Sequence, residues 1–294
     1  MKFKGKTLIL DNFRELLSGY SVDVQDVVRS AILDDIDLSG YIQSCRENPY
    51  RLEQIRLAIK DGLSEAIYKI TNGNVIYQIR ALKRKGINLK PLEKQLEEGN
   101  LSDTYMIYAL NWVEQGINLS NINLSIIPQK LLPIFEYGLR SGFDMSKYNT
   151  GVSYSPQYIS FCLQIEKNEK PVSFLLDGDW PEHTVEVLSS FSKVENSVWK
   201  NLVSFIDKSI PVSRLNKLIQ LVKQGIDLST LQKKDKDSDY IFSENCLDMI
   251  GYAYSHRLNY KKLILEYSTE ENMSYMIKTM EVSSRRGVKG RLRK

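Results

Sequence analysis

Two histidines, three cysteines and two clusters of aspartates are the side chains of this 294-residue chain that invite a chemical reading. His183 and His256 lie far apart, and neither has a second histidine three or four positions away. The paired imidazoles of an H-E-x-x-H zinc helix are therefore excluded. His256 stands where an apolar helical stretch ends, and a cation is favoured at a helix C-terminus. Cys45, Cys162 and Cys246 are odd in number, widely spaced and form no C-x-x-C pair. They suggest neither a disulfide framework nor a zinc knuckle and fit a reducing compartment. "LDDIDLS" gathers Asp34, Asp35 and Asp37; "DKDSDY" sets Asp235, Asp237 and Asp239 at a period of two, as a calcium loop begins. That loop needs glycine at its sixth place and glutamate at its twelfth, where this chain has Tyr240 and Cys246, so a solvated loop is expected. There is no phosphate loop, dinucleotide fingerprint or nucleophile elbow. No catalytic residue, metal ligand or cofactor is assigned.

Binding has better candidates. The last ten residues carry Arg285, Arg286, Lys289, Arg291, Arg293 and Lys294 without an acid among them. Such a tail has the composition of a flexible arm, and its cations could neutralise up to about six phosphates in a salt-sensitive, sequence-blind way. The whole chain is at +4, so the 284 residues before the tail sum to about −2. By composition the body is not a basic nucleic-acid surface, although "LKRKG" at 82–86 makes a local patch. In "DGDWPEHT", Asp177-Gly178 reads as a turn, Pro181 suits the first helical position and Glu182 suits the dipole of that end. Trp180 is the candidate partner anchor, because tryptophan is enriched in binding hot spots; the alternative is a ring folded back on the helix it introduces.

The elements that position these residues emerge from composition and pattern. With 42 % hydrophobic and 26 % charged residues, the chain can build a core. No window approaches the roughly 18 apolar residues of a membrane span, and the start "MKFKGKTLILDNF" is too short in apolar residues for a secretory signal. A cytoplasmic protein without membrane partners is expected, in a host cytoplasm or a virion if a phage encodes it.

"EQIRLAIKDGL" at 53–63 is nearly repeated as "YQIRALKRKGI" at 77–87, and the glycine brings further copies into line. "GINLK" starts at Gly86, "GINLS" at Gly116, "GFDMS" at Gly142 and "GIDLS" at Gly225; Asp35, Gly62 and Arg257 head weaker copies. Seven positions before each station stand Val28, Ile55, Ile79, Ala109, Phe135, Leu218 and Ile250. Four before stand Ala31, Ala58, Leu82, Trp112, Gly138, Leu221 and Ala253. Such spacing marks the buried stripe of an amphipathic helix. Glycine takes the left-handed conformation that stops a helix, and the apolar residue after it packs back, as in a Schellman motif. Asn88, Asn118, Asp144 and Asp227 then start a turn or cap the next helix. The stations are 27, 24, 30, 26, 83 and 32 residues apart, and the long gap should hold two degenerate copies, at "KPVSF" (170–174) and "SIPVS" (209–213). Units of this length hold two short helices each and stack in arrays.

The expected fold is all-α, an α-solenoid of about seven to nine degenerate two-helix repeats of 24–32 residues, with few or no strands. Residues 1–20 form a lead-in, 21–282 the repeat domain, irregular at 150–212, and 283–294 the basic tail. Within "EQIRLAIKDGL", Ile55, Ile59 and Leu63 should face inward, leaving Glu53, Arg56, Lys60 and Asp61 as a replaceable outer face.

These units resemble a helical repeat found in many copies in poorly characterised proteins of low-GC bacteria, gut bacteria and their phages. The pattern there is approximately Gln-x-x-Ile-Arg-x-Gly-Leu-x-x-Gly-Leu-Asp-Val-Ser-x-Tyr. Matching residues are Gln54, Ile55, Arg56, Gly62 and Leu63, then Gln78, Ile79, Arg80 and Gly86, with "GFDMSKY" at 142–148 and "GIDLS" at 225–229. The likeness covers about residues 28–148 and 213–263 and lapses between them, where the Gln-Ile-Arg triplet is missing. It implies repeat architecture and partner binding, with no catalytic residues. The expected function is a non-enzymatic, bacterial or phage, protein–protein interaction or scaffold protein. The alternative is a nucleic-acid-associated phage virion component or regulator that uses the tail.

Overall fold

A left-handed residue ends helix after helix in the computed structural model of the chain, which describes residues 17–98, 101–231, 242–266 and 269–291, with side chains as far as residue 283. All seven stations have positive φ: Asp35 63°, Gly62 64°, Gly86 80°, Gly116 78°, Gly142 80°, Gly225 91° and Arg257 56°. At Gly86 the stop closes with two backbone bonds, Gly86 N–H to the Lys83 carbonyl at 2.9 Å and Ile87 N–H to the Leu82 carbonyl at 3.2 Å. The same pair recurs at the other six stations. It satisfies carbonyls that the end of a helix would otherwise leave bare. Two residues later, the carboxylate or amide oxygens of Asp37, Asn88, Asn118, Asp144 and Asp227 each accept the N–H two positions on, at 2.8–3.1 Å. Each stop thus leads straight into a turn that starts the next segment.

The chain divides into two units, Met1–Gly151 and Val152–Lys294. The first holds α1 (Val22–Leu33), α2 (Pro49–Lys60), α3 (Glu65–Tyr68), α4 (Gly73–Arg84), α5 (Lys90–Glu98), α6 (Asp103–Glu114) and α7 (Leu132–Arg140). Here α1 packs on α2, α2 on α4, α4 on α6 and α6 on α7, while the shorter α3 lies against α2 and α5. The second unit holds α8 (Pro156–Lys167), α9 (Glu182–Phe191), α10 (Asn196–Val203), α11 (Val212–Lys223), α12 (Glu244–Ser255), α13 (Tyr260–Glu266) and α14 (Glu270–Arg291). There α8 packs on α9, α9 on α11, α11 on α12 and α12 on α14. Among the described residues the protein is all-helical, with no strand; "VIYQI" at 75–79 lies within α4.

The core follows the sequence stripe. Every residue seven and four positions before a station is buried, from Val28 and Ala31 to Ile250 and Ala253. Gly138 holds a place in this stripe because nothing larger fits: a Cβ there would stand 2.2 Å from the Met145 sulfur. The leucine or methionine three places after the stop, as in Leu38, Leu89, Leu119, Met145 and Leu228, is buried too and pins the turn to the core.

Three expectations need correction. The first degenerate copy is out of register by one residue: α8 stops at left-handed Glu169, φ 59°, whose N–H bonds the Glu166 carbonyl while Lys170 N–H bonds that of Ile165. The backbone pair forms without glycine. "SIPVS" is no stop at all. Ser209 N–H is held by the Asp207 carboxylate and Pro211, at φ −63°, is the cap that starts α11, a role its fixed φ suits. Between Glu169 and Gly225, α9 ends with Ser192 in the right-handed conformation. Finally, composition expects a loose arm after residue 282, whereas α14 runs on to Arg291, since arginine and lysine are good helix formers and extend a helix already nucleated.

The stops differ in strain, and stability should report it. No atom lies within 4 Å of a Cβ built on Gly86 or Gly116, so substitution there costs backbone strain alone. Gly116→Ala should lower unfolding free energy by about 1–2 kcal/mol, and Gly86→Val or Gly116→Val by more. Arg257→Gly should raise it by about 1 kcal/mol, by relieving a left-handed arginine. Urea unfolding checks all of these, and unchanged midpoints in the valine variants would contradict the role given to the stops.

Candidate functional site

The duplicated Gln-Ile-Arg triplet is a clasp between successive helices. Arg80, on α4, is 3 % exposed; its Nε lies 2.7 Å from the Asp61 carboxylate and its Nη1 donates to the Gln54 amide oxygen at 2.7 Å. Asp61 caps the end of α2, one residue before the stop. One unit earlier, Arg56 on α2 bonds the carboxylate of Asp34, the cap of α1, and is steadied by Glu53 at 2.6 and 2.8 Å. One turn further along, Lys60 reaches Asp34 at 2.8 Å and Arg84 reaches Asp61 at 3.5 Å. Each triplet therefore grips the acid at the stop of the helix before it. Lys83, three places before a stop where apolar residues are common, donates to the Gly62 carbonyl at 2.7 Å. Arg56 and Asp61 thus hold neighbouring helices together and are not freely replaceable. Lys60, first by its hydrogen bond, holds the Asp34 carboxyl below the ordinary aspartate range, with the Arg56 charge in support.

A second set of contacts escapes single-unit reading. Eleven positions before their stops stand Arg51, Tyr105, Tyr158 and Arg214. Each donates to a carbonyl of the segment that leads into the following long helix: Arg51 to Ile70 at 2.8 Å and to Tyr68, the last residue of α3, at 3.2 Å, Tyr105 to Ile127 at 2.6 Å, Tyr158 to Leu175 at 2.6 Å and Arg214 to Phe242 at 2.7 Å. Burial pushes the Tyr158 phenol strongly up, so it stays a donor. Side-chain amides do similar work. Gln95 bonds the Ile122 carbonyl and accepts Leu124 N–H at 3.0 Å; Asn201 bonds Ile226 and Leu228 in the same manner, both at 3.0 Å. The constant spacing of eleven was the available signal, hidden because arginine and tyrosine fill the same office.

The residues that sequence singles out for chemistry are dispersed. His183 is exposed with Nδ1 3.5 Å from Glu186, while His256 caps α12 with Nδ1 2.9 Å from the Tyr252 carbonyl and its ring stacked on Tyr252. The three cysteines are buried and form no disulfide. Asp34 is in the clasp, Asp35 is the stop and Asp37 starts the turn. No group of three His, Cys, Asp or Glu suited to a metal occurs among the described residues. Trp180 is not an exposed anchor: it is 8 % exposed, donates Nε1 to the Phe174 carbonyl at 2.9 Å and meets the Phe174 ring edge-on. Pro181 is the cap before α9 rather than its first residue. The side chains of Arg285, Arg286, Lys289 and Arg291, the whole of Arg293 and Lys294, and Asp235, Asp237 and Asp239 lie outside the described residues. No helix among the described residues is long and apolar enough to cross a membrane.

Two surface features of the first unit remain unspent. Tyr50, Tyr77, Ile107 and Tyr137 are about half exposed and stand on α2, α4, α6 and α7, which pack in that order. Tyr77 and Ile107 hold the same register, nine places before their stops, and the Tyr50 ring lies over Gly73 one turn from Tyr77. Separately, a cleft of about 510 Å³ opens between α5 and the turns that follow α6 and α7.

The clasp should be visible in stability. Removing Arg80 leaves Asp61 and Gln54 without their shared partner, so Arg80→Ala should cost about 3 kcal/mol, and the Arg80→Ala/Asp61→Ala pair should be strongly non-additive in a double-mutant cycle. Asp34 has a lowered folded-state pKa, so its contribution is full above the ordinary aspartate value of 3.8 and is lost as pH falls through and below it. Asp34→Asn should flatten that acid limb in pH-dependent urea unfolding. Compared with protein-family models, curated proteins and solved structures, the chain matches none of them, so its functional reading rests on its own residues.

Proposed function

We infer that this chain is a non-enzymatic helical-repeat protein, an α-solenoid in plan, whose work is to bind another protein. Recurrent stops, recurrent clasps and the packing of successive long helices within each of the two units support the repeat reading. The row Tyr50, Tyr77, Ile107 and Tyr137 carries the functional one: an apolar stripe repeated along successive helices is the kind of patch that marks an interface, and tyrosine is enriched in interface hot spots. His183 and His256 have no catalytic part in this reading. A bacterial or phage source belongs to it through the resemblance of the repeats.

A second reading, association with nucleic acid, draws on the six cations within the last ten residues. The two separate in one set of proteins. A photo-crosslinking amino acid at position 77 or 107 should capture one defined partner in the native host, and Tyr77→Asp/Ile107→Asp should abolish capture by a crosslinker at position 50 while leaving thermal melting unchanged. Arg285→Glu/Arg286→Glu/Lys289→Glu should leave capture intact. If instead that triple variant loses a steeply salt-dependent affinity for duplex DNA or RNA and the row variants lose nothing, the nucleic-acid reading replaces the first.

A further inference from the structure

The cleft beside α5 has walls of a consistent chemistry. Lys90 and Lys94 stand one turn apart on α5, and Asn88, Asn121 and Asn149 contribute amides from the turns around it. Its floor is fixed by the Gln95 clasp on Ile122 and Leu124 and by Asn149, which accepts the Asn123 N–H at 2.6 Å and donates to the Asn123 carbonyl at 3.0 Å. These groups are occupied in holding the turns, so the cleft is built before any ligand arrives. Lys90 Nζ and the Asn121 side chain make no hydrogen bond or ion pair among the described residues. Lys94 keeps a long, exposed pair with Glu98 at 3.6 Å, the one carboxylate on the rim.

That combination selects among ligands. Among the described residues no aromatic ring lines the cleft, which removes the stacking surface a sugar ring or a nucleobase uses. Too many amides line it for an apolar guest, and one carboxylate is too few to hold a cation. Its volume lies within the ~300–1,000 Å³ of ligand clefts. Amide side chains pair with peptide N–H and carbonyl groups, while two ammonium groups one turn apart suit carboxylates. We propose that this cleft takes an extended acidic peptide segment, with Lys90 and Lys94 on its carboxylates and Asn121 on its backbone. This deepens the reading of the chain as a protein-binding repeat protein and rests on it: the segment belongs to the partner.

The probe is a fluorescein-labelled peptide of alternating aspartate and glutamate flanked by glycine, compared with its asparagine–glutamine counterpart and with oligothymidine, each titrated into the full chain by fluorescence anisotropy. The acidic peptide should bind more tightly than the amide peptide. Lys90→Glu/Lys94→Glu should weaken it at least about tenfold, and Asn121→Ala by a smaller factor. Lys90 opens α5, where glutamate is favourable, and Lys94 is well exposed, so its exchange for glutamate beside Glu98 costs little; an unchanged melting curve confirms that the double variant keeps its fold. Equal binding of the acidic peptide by the wild type and the double variant, no binding by either, or stronger Lys90- and Lys94-dependent binding of oligothymidine overturns the proposal. In each case capture by the crosslinker at position 77 is unaffected. Loss of that capture with peptide binding intact falls on the tyrosine row instead.

Discussion

Two backbone hydrogen bonds, repeated at the left-handed helix stops, govern this protein. They form only if one residue past the helix turns left-handed, and among the described residues eight do so: Asp35, Gly62, Gly86, Gly116, Gly142, Glu169, Gly225 and Arg257. Five are glycines, for which that conformation is nearly free; the other three are L-residues carrying strain of about 1–2 kcal/mol each. Strain at Glu169, where no glycine is available, is tolerated because the stop decides where the chain goes next. A stop one turn later would send α8 past its neighbour and rotate its buried stripe out of the core.

The stop also organises charge. Because the helix ends at a defined residue, the acid just before it, Asp34 or Asp61, is held at a fixed place, and the next helix meets it with Arg56 or Arg80. A buried arginine is costly unless its donors are used, and Arg80 uses Asp61 and Gln54 together. Apolar packing supplies the larger free energy, but leucine and isoleucine faces slide. The arginine fork fixes register between successive helices, as Arg51, Tyr105, Tyr158 and Arg214 fix the segments that join them.

Much of this was legible along the chain. Glycine followed by an apolar residue and Asn or Asp states the stop and the turn, and the apolar positions seven and four before it state the buried face. Both are local rules in which one residue's conformational freedom or polarity suffices. The clasp was misread for a physical reason. Arg56 and Asp61 occupy positions that an isolated helix exposes, and only a neighbouring helix turns them inward. Trp180 was misplaced likewise, since a tryptophan after a turn looks the same whether it meets solvent or, as here, the ring and carbonyl of Phe174.

Sequence by itself determined an all-helical chain, the helix ends at seven stations, the buried stripe and the absence of familiar catalytic motifs, because each depends on residues within one turn or on the residue types present. Tertiary structure alone decided that the repeated Gln-Ile-Arg is a seam, that the station in the middle falls on Glu169, that Tyr50, Tyr77, Ile107 and Tyr137 stay half exposed on helices that pack in succession, and that Lys90 and Lys94 share a cleft with asparagines from later turns. Those facts depend on residues some 20 to 60 positions apart meeting in space, and a helical period of 3.6 residues carries no information about which neighbour arrives there.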